Sequence, residues 1–137
     1  MVIASDLLDD LVAHARNEYD AECCGMIAYE QGEPDAEPRA VRVHRAKNIF
    51  ASRKRFEIDG KEVLRVEREF DDAGWKLGAI YHSHTHTAPY PSQTDINFAR
   101  NWPGVEWVIV GLAKAEPEVR CYLIEDGEVT EVALEVR

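Results

Sequence analysis

Hydrophobic and polar residues follow one another along this chain in two periods, one typical of helices and one typical of strands. Apolar residues spaced three and four apart, behind residues that favour helix caps, predict the first two helices. We expect Ser5 to cap the first helix, and Asp59 with Glu62 to form a capping box at the second. A third, short helix is expected after a loop that contains two prolines. The three predicted helices span about 5–17, 59–73 and 93–101.

Short segments rich in β-branched and aromatic residues predict strands between these helices. The segment 40–44 alternates and is expected to pair with the apolar run 24–29, while Asp126-Gly127 is a dipeptide typical of a β-hairpin turn. The C-terminal third is therefore predicted to be a β-meander. The predicted strands span about 24–29, 40–44, 56–58, 76–83, 106–112, 119–124 and 129–136.

The order of these elements predicts the fold class. Helix, strands, helix, strands, helix and strands follow one another without an internal repeat or a linker. Because each amphipathic helix must bury its apolar face, this order favours an α/β sandwich with one mixed, mostly antiparallel β-sheet flanked by helices. A chain of 137 residues is long enough to form its own hydrophobic core, so we expect residues 1–137 to form a single domain.

The cysteine content predicts a reducing compartment. The chain has three cysteines, two of them adjacent at Cys23 and Cys24, which is a poor basis for a disulfide framework. The first ten residues hold three acids and no basic residue, and the longest apolar run, 107–113, is too short to span a bilayer. We therefore expect a cytoplasmic protein with neither a signal peptide nor a membrane segment.

The charge pattern argues against a nucleic-acid partner. The 26 acidic and 16 basic residues give a formal net charge of −10, which repels polyanions at long range. One basic stretch, 39–55, holds seven arginines and lysines and no acid. This stretch is either a solvated edge or a docking surface for an acidic partner. The sequence leaves the oligomeric state open, and a homodimer is compatible with it.

The residues with the clearest chemistry lie between the fourth predicted strand and the third helix. His82 and His84 are two positions apart in an extended segment, so both imidazoles point to one face and can bind one metal ion. If the loop around Pro89 and Pro91 folds the next helix back onto the strand end, Asp95 completes a set of three ligands. A fourth, open position is typical of a catalytic zinc site, in which bound water has a pKa of about 7.

Hydrolysis at such a site also needs a general base. Glu22 is the candidate, because it lies at the entrance to the first predicted strand beside apolar residues that would partly desolvate it. On its own it would be an ordinary surface acid near a strand end. Its assignment therefore depends on the residues that accompany it elsewhere in the chain.

The spacing of these residues resembles the signature of the JAMM (MPN+) metalloprotease family. Glu22 is followed by Cys24-Gly25, and His82-Ser83-His84 is followed after seven residues by Ser92 and after two more by Asp95. The resemblance covers nearly the whole chain in element order and implies the cytidine deaminase-like JAB/MPN fold. It also implies Zn²⁺ as cofactor with His82, His84 and Asp95 as ligands. Glu22 is then the general base and acid, and Ser92 a hydroxyl that helps to hold the tetrahedral intermediate.

Within this family the chain is most similar to small stand-alone bacterial members of the Mec type. The similarity lies in the segments 81–85, 90–92 and 94–95 and in Ala88. It implies that the substrate is a ubiquitin-like sulfur carrier protein, CysO-like, from whose C-terminus cysteine is hydrolysed during cysteine biosynthesis. Thr85 and His86 depart from the commoner family pattern, and only the first departure is shared with the Mec type. His86 could join a three-histidine ligand set, but we expect it at the rim of the site.

Other interpretations remain open at this point. The protein could be a deconjugating isopeptidase for other ubiquitin-like modifiers, or a non-catalytic MPN-like module that binds a partner. Ser92 and Asp95 also form a plain helix-capping pattern that needs no metal. A cupin is excluded because Ala88-Pro89 stands where its motif requires glutamate. We expect His14 and His44 to be surface histidines.

Overall fold

The computed structural model describes residues 1–137 as three α-helices and eight β-strands. The helices are α1 (Ser5–Glu18), α2 (Gly60–Asp72) and α3 (Gln93–Ala99). The strands are β1 (Val2–Ile3), β2 (Cys24–Glu30), β3 (Arg39–Ala46), β4 (Lys76–His84), β5 (Glu106–Gly111), β6 (Glu118–Glu125), β7 (Glu128–Val132) and β8 (Glu135–Val136). None of the helices has the length and apolar character that a membrane crossing requires.

All eight strands form one mixed sheet in the order β7-β6-β5-β4-β2-β3-β1-β8. Four neighbouring pairs are antiparallel and three are parallel, the latter being β4 with β5 and β1 with both β3 and β8. Helix α1 packs on one face of the sheet, and α2 and α3 pack on the other. The predicted α/β sandwich with a mixed, mostly antiparallel sheet is therefore confirmed.

The central strands are buried on both faces. In β2, Met26 and Ala28 pack on the side of α2 and α3, whereas Ile27 and Tyr29 pack on the side of α1. Strands β2, β4 and β5 therefore carry nearly continuous buried runs, as a sheet covered on both faces requires. This packing makes the centre of the sheet a rigid support for the polar residues at the end of β4.

The sheet curls so far that its two end strands approach each other. Strands β7 and β8 are at opposite ends of the strand order, yet only Ala133 and Leu134 connect them. The three peptide units from Val132 to Glu135 span at most about 11 Å, so the end of β7 and the start of β8 cannot be farther apart. The amino group of Met1 donates to the carbonyl oxygen of Ala133 at 2.7 Å and holds this corner. The prediction of one continuous strand over 129–136 is wrong, because β8 leaves β7 and pairs in parallel with β1.

Other predicted details are also wrong. Residues 56–58 form no strand, because their segment is a loop whose two apolar side chains are buried in the core against α2. The N-cap of α1 is Ala4 and not Ser5. At α2 the carboxylate of Asp59 caps the first turn as predicted, but Glu62 does not complete a capping box.

His14 is a core residue, contrary to the prediction that it is a surface histidine. Its side chain on α1 is buried, and its Nδ1 is hydrogen-bonded to the hydroxyl of Tyr81 on β4 at 2.7 Å. Burial, with the nearby Arg45 guanidinium, lowers the pKa of His14. His44 is half-buried, with its Nε2 3.9 Å from the carboxylate of Glu62. The sequence did not reveal the burial of His14, because its hydrogen-bond partner Tyr81 lies on another element.

Candidate active site

The C-terminal end of β4 places two histidines on one face of the sheet. Side chains alternate along the strand, so His82 and His84 lie on the face covered by α2 and α3, and Ser83 lies on the other. Both histidines are buried. The Ser83 hydroxyl oxygen accepts a hydrogen bond from the backbone amide of Cys23 at 2.8 Å, which joins the end of β4 to the start of β2.

Aromatic neighbours hold the ring of His82. Phe56 stacks on it with ring centroids 4.5 Å apart and planes inclined by 22°, and Trp107 of β5 meets it edge to face. Neither His82 Nδ1 nor Trp107 Nε1 has a hydrogen-bond partner within the protein. The imidazole is therefore oriented by packing. The role of Phe56 could not be read from the sequence, because no motif links it to the histidines.

The first turn of α3 brings Asp95 to the histidines. The hydroxyl oxygen of Ser92, the N-cap, accepts from the Asp95 amide at 3.1 Å. Asp95 Oδ2 in turn accepts from the Ser92 amide at 2.9 Å, which completes a capping box. The capping pattern noted in the sequence is thus present, and the same carboxylate also faces the histidines.

Three atoms of ligand type meet in a nearly equilateral triangle. His82 Nε2 lies 3.1 Å from His84 Nε2 and 3.1 Å from Asp95 Oδ2, and His84 Nε2 lies 3.2 Å from Asp95 Oδ2. In a tetrahedral zinc site with bonds of about 2.0–2.1 Å, neighbouring ligand atoms are about 3.3 Å apart. The triangle therefore has the spacing of one face of such a tetrahedron, and its three atoms could hold a metal ion.

The chemistry of these atoms also fits a cation. His84 Nδ1 lies 2.9 Å from the carbonyl oxygen of Ala88, a group that accepts only from a protonated nitrogen. When His84 is neutral, it therefore presents the lone pair of Nε2 to the centre. Three atoms with lone pairs at 3.1–3.2 Å repel one another unless a proton or a metal ion lies among them.

Burial and charge shift the pKa values of the three groups in different directions. Burial acts to raise the pKa of Asp95, but the charge of His82 and the hydrogen bonds from the histidines and from Ser92 hold it well below its usual range. Burial lowers the pKa of His82. Burial also acts to lower the pKa of His84, but the hydrogen bonds to Asp95 and to the Ala88 carbonyl outweigh it. The pKa of His84 is therefore raised. Asp95 is therefore a carboxylate at neutral pH.

Glu22 precedes β2 on the same side of the fold as the end of β4. Cys24, two residues later, is paired with His82 in the register of β2 and β4. The backbone amide of Glu22 donates to the carbonyl oxygen of Ser52 at 2.7 Å, and its carbonyl accepts from Asn48 Nδ2 at 3.1 Å. The loop between β3 and α2 thus holds the backbone of Glu22 on both sides.

The Glu22 carboxyl interacts electrostatically with the triangle. Burial, opposed by the charge of His84 and assisted by that of Asp95, raises the pKa of Glu22 to about 7. The residue is 5% exposed. A carboxyl group with this pKa can both take and give a proton near neutral pH.

Ser92 and His86 lie at the rim of the site. Ser92 is exposed, and because its oxygen accepts from the Asp95 amide, its own proton is available to another acceptor. The His86 side chain is 54% exposed, and its Nε2 lies 2.8 Å from Oδ1 of Asp20. The structure thus places His86 outside the triangle, and no signal in the sequence marked Asp20 as its partner.

The cysteines provide no alternative nucleophile. Cys23, Cys24 and Cys121 are free and buried. Burial raises the pKa of Cys23 and that of Cys121 to about 12. The thiols therefore stay protonated at neutral pH.

Comparison with proteins of known sequence identifies relatives over most of the chain. Residues 4–125 match the family described as prokaryotic homologs of the JAB domain. The chain is 37% identical over 137 residues to the CysO-cysteine peptidase of Mycobacterium tuberculosis, which covers 99% of this chain and 90% of that protein. It is 33% identical over 112 residues to the desampylase of Haloferax volcanii, which covers 78% of this chain and 77% of that protein.

Solved structures show the same fold. A protein from Desulfitobacterium hafniense superposes with a TM-score of 0.87 at 26% identity, covering 99% of this chain and 92% of the other. A JAB1/MPN domain protein from Archaeoglobus fulgidus superposes with a TM-score of 0.65 at 22% identity. The superposition covers 99% of this chain and 98% of the other. The JAB/MPN fold implied by the sequence motif is therefore confirmed. The chain belongs to the family of prokaryotic homologs of the JAB domain, and it is a hydrolase of the peptidase class.

Proposed function

We propose that this protein is a zinc peptidase that hydrolyses the amide bond at the C-terminus of a ubiquitin-like sulfur carrier protein and releases cysteine. The single observation that carries this proposal is the meeting of His82, His84 and Asp95, with the carboxyl of Glu22 interacting electrostatically with two of them. We also propose that the enzyme lies in the cytoplasm and acts in cysteine biosynthesis. Three free, buried thiols are compatible with that compartment.

His82, His84 and Asp95 would hold the zinc ion. Bound Zn²⁺ supplies Lewis acidity at the scissile carbonyl and lowers the pKa of a coordinated water to about 7. The protein orients the ligands through the contact of His84 Nδ1 with the Ala88 carbonyl and through the Ser92 amide on Asp95. Such outer contacts fix which nitrogen and which oxygen face the ion.

Glu22 takes the proton from the attacking water and passes it to the leaving nitrogen. Water adds to the amide carbon, the C–N bond breaks, and the products are a carboxylate and a free amine. The carboxyl must change its charge twice in each cycle, and a pKa of about 7 supports this exchange. The exposed hydroxyl of Ser92 donates to the oxygen that becomes negative as the carbonyl turns tetrahedral.

The named relatives support the choice of substrate. The CysO-cysteine peptidase is similar over 99% of the chain at 37% identity, whereas the two desampylases are similar over 78% and 84% at 33% and 30%. The longer and stronger similarity favours a carrier that ends in cysteine. We therefore propose a CysO-like carrier protein as the substrate.

The intact mass of a carrier protein tests this proposal. The zinc-loaded enzyme is incubated with a ubiquitin-like carrier ending in Gly-Gly-Cys, and the expected result is loss of one cysteine residue with free cysteine in solution. The Glu22→Gln variant is the matched control, because it should keep its zinc and leave the carrier mass unchanged. An unchanged carrier after incubation with zinc-loaded wild-type enzyme would contradict the proposal.

A deconjugating isopeptidase is the second candidate, because the desampylases also resemble this chain. A ubiquitin-like protein joined to a lysine side chain distinguishes the two. Cleavage of that conjugate, without action on the Gly-Gly-Cys carrier, would favour the isopeptidase. A wild-type protein that binds no zinc would instead favour a non-catalytic MPN-like module that binds a partner.

A further inference from the structure

Asp20 is an exposed residue whose carboxylate contacts a histidine and an arginine from two other segments. Its Oδ1 lies 2.8 Å from Nε2 of His86, and its Oδ2 lies 3.5 Å from Nη1 of Arg53. The ring of Tyr19, beside it in the chain, meets the ring of His86 edge on with centroids 5.7 Å apart. These contacts bring three loops to one point.

Each of these loops adjoins a part of the active site. Asp20 precedes Glu22 by two residues, and His86 follows His84 by two residues. Arg53 follows the carbonyl group that accepts from the Glu22 amide at 2.7 Å. Asp20, Arg53 and His86 all lie outside the helices and strands, so no regular backbone pairing sets their separation.

The Glu22 carboxylate has no hydrogen bond that would fix it. The backbone of the residue is bonded on both sides, to the carbonyl of Ser52 and to the side chain of Asn48, but no group of the protein donates to its carboxylate. A proton-transferring group needs its oxygens for substrate and water. Its position must therefore be set by the backbone that carries it and by whatever holds that backbone.

We propose that Asp20 is a positioning residue that holds Glu22 at its working distance from His82, His84 and Asp95. It does so by joining the three loops through His86 and Arg53, and this inference rests on the proposed function. Exposed ion pairs add little to the stability of the whole fold. A displacement of about 1 Å in a reacting group, in contrast, can lower the rate about 100-fold. Loss of the Asp20 contacts should therefore change turnover more than stability.

The test compares variants of the zinc-loaded full chain on a ubiquitin-like carrier ending in Gly-Gly-Cys. For Asp20→Ala we expect kcat to fall about 10-fold, while KM, zinc content and Tm stay at their wild-type values. Asp20→Glu keeps the carboxylate and should recover most of the turnover. Glu30→Ala is the matched control, because it removes an exposed pair with Arg39 at 3.2 Å on another part of the surface. Its kcat should equal that of the wild type.

Several results would overturn the inference. A wild-type kcat in Asp20→Ala would do so, as would a rise in KM alone, which would make Asp20 a substrate contact. Loss of zinc would show that Asp20 acts on the metal ligands instead. If the Asp20 variants do not fold, His86→Gln and Arg53→Gln each remove one contact, and wild-type kcat in both would refute the proposal.

Glu22→Gln separates this inference from the proposed function. If Glu22→Gln is inactive and Asp20→Ala is fully active, the positioning role is wrong and the proposed function stands. If Glu22→Gln turns over at the wild-type rate, both are wrong, because Glu22 is then not the proton carrier.

Discussion

Tyr81 on β4 lies directly across the ladder from Gly25 on β2, and its ring fills the space that a side chain at position 25 would need. A Cβ built on Gly25 would lie 2.2 Å from Cε1 of Tyr81 and 2.4 Å from the carbonyl oxygen of His44. The first neighbour is fixed by its hydrogen bond to His14, and the second is backbone. Packing therefore requires the glycine of the Cys24-Gly25 pair.

Gly25→Ala should destabilise the protein. The added methyl group has no space between two neighbours that cannot yield easily, so the free energy of unfolding should fall by about 3 kcal/mol. Gly32→Ala is the control, because a Cβ at that position meets no atom within 4 Å, and its effect should stay within about 0.5 kcal/mol. Urea denaturation measures both. Equal urea midpoints for the two variants would contradict this prediction, because they would show that β2 and β4 can make room for the methyl group without loss of stability.

Zinc binding should depend on Asp95 and not on His86. His84→Ala and Asp95→Ala each remove one corner of the triangle, so both should lose zinc and activity, whereas His86→Ala should keep its zinc. The zinc content of each variant after dialysis, measured by mass spectrometry, tests this prediction. A metal-free His86→Ala beside a zinc-loaded Asp95→Ala would establish a three-histidine site instead.

Ser92 should contribute to turnover through its hydroxyl and to stability through its cap. Ser92→Ala should lower kcat about 100-fold or more, and the free energy of unfolding by about 1 kcal/mol. Ser92→Thr keeps the hydroxyl group, whose oxygen also caps α3. It should therefore retain most of the wild-type kcat and most of the wild-type stability. A Ser92→Ala enzyme with full kcat but lower stability would leave only the capping role seen in the structure.

The raised pKa of Glu22 predicts how stability depends on pH in protein stripped of metal by EDTA. The pKa is about 7 in the folded chain against an ordinary value of 4.5, so the folded state binds this proton more tightly. The resulting stabilisation is complete below about pH 4.5 and is lost as the pH rises through about 7.

Glu22→Gln removes a group that destabilises the fold when charged. It should therefore raise Tm relative to the wild type at about pH 8 and leave it nearly unchanged at about pH 4. The exposed Glu33→Gln, as control, should show no such difference between the two pH values. Thermal unfolding followed by circular dichroism tests this, and a parallel shift of Tm at both pH values would count against the raised pKa.

Three of the seven basic residues in the stretch 39–55 are paired with acids in the folded protein. Arg39, Arg45 and Arg53 contact Glu30, Asp10 and Asp20. Arg55 lies over the ring of Phe50 at 4.1 Å, in the loop that holds Glu22. A docking role for this stretch is therefore best tested on the loop.

Reversing the charge of Lys54 and Arg55 to glutamate should weaken binding of an acidic carrier protein about 10-fold at low salt and less at high salt. Arg39→Glu with Arg42→Glu makes the same change of charge on β3, away from the loop, and should have a smaller effect. Calorimetric titration with the carrier measures both pairs. Unchanged affinity of the loop variant at low salt would identify the stretch as solvated surface.

The parts of the site that could be predicted depend on local geometry. The spacing of His82 and His84 follows from strand alternation, and the contact of Ser92 with Asp95 follows from the first turn of a helix. A short loop with two prolines then brings strand end and helix together. Such relations need no knowledge of distant segments.

The remaining features could not be predicted because they depend on contacts between distant segments. Phe56 stacks on His82 only because its loop fails to form the predicted strand and folds into the core. The hydrogen bond between His14 and Tyr81 joins α1 to β4, and the hydrogen bond between Asp20 and His86 joins two loops. Strand β8 leaves the meander for the same reason, since its partner is the first strand of the chain.

A single oxygen of Asp95 faces both histidines and accepts the amide proton of Ser92. A cation drawn to that oxygen competes for the same electron density as the amide proton, so metal loading and the start of α3 are thermodynamically linked. The amide of Ser92 is consequently a built-in reporter of occupancy. In a nuclear magnetic resonance titration with zinc, its chemical shift and its hydrogen exchange rate would change in step with the ion, without any label on the protein's surface.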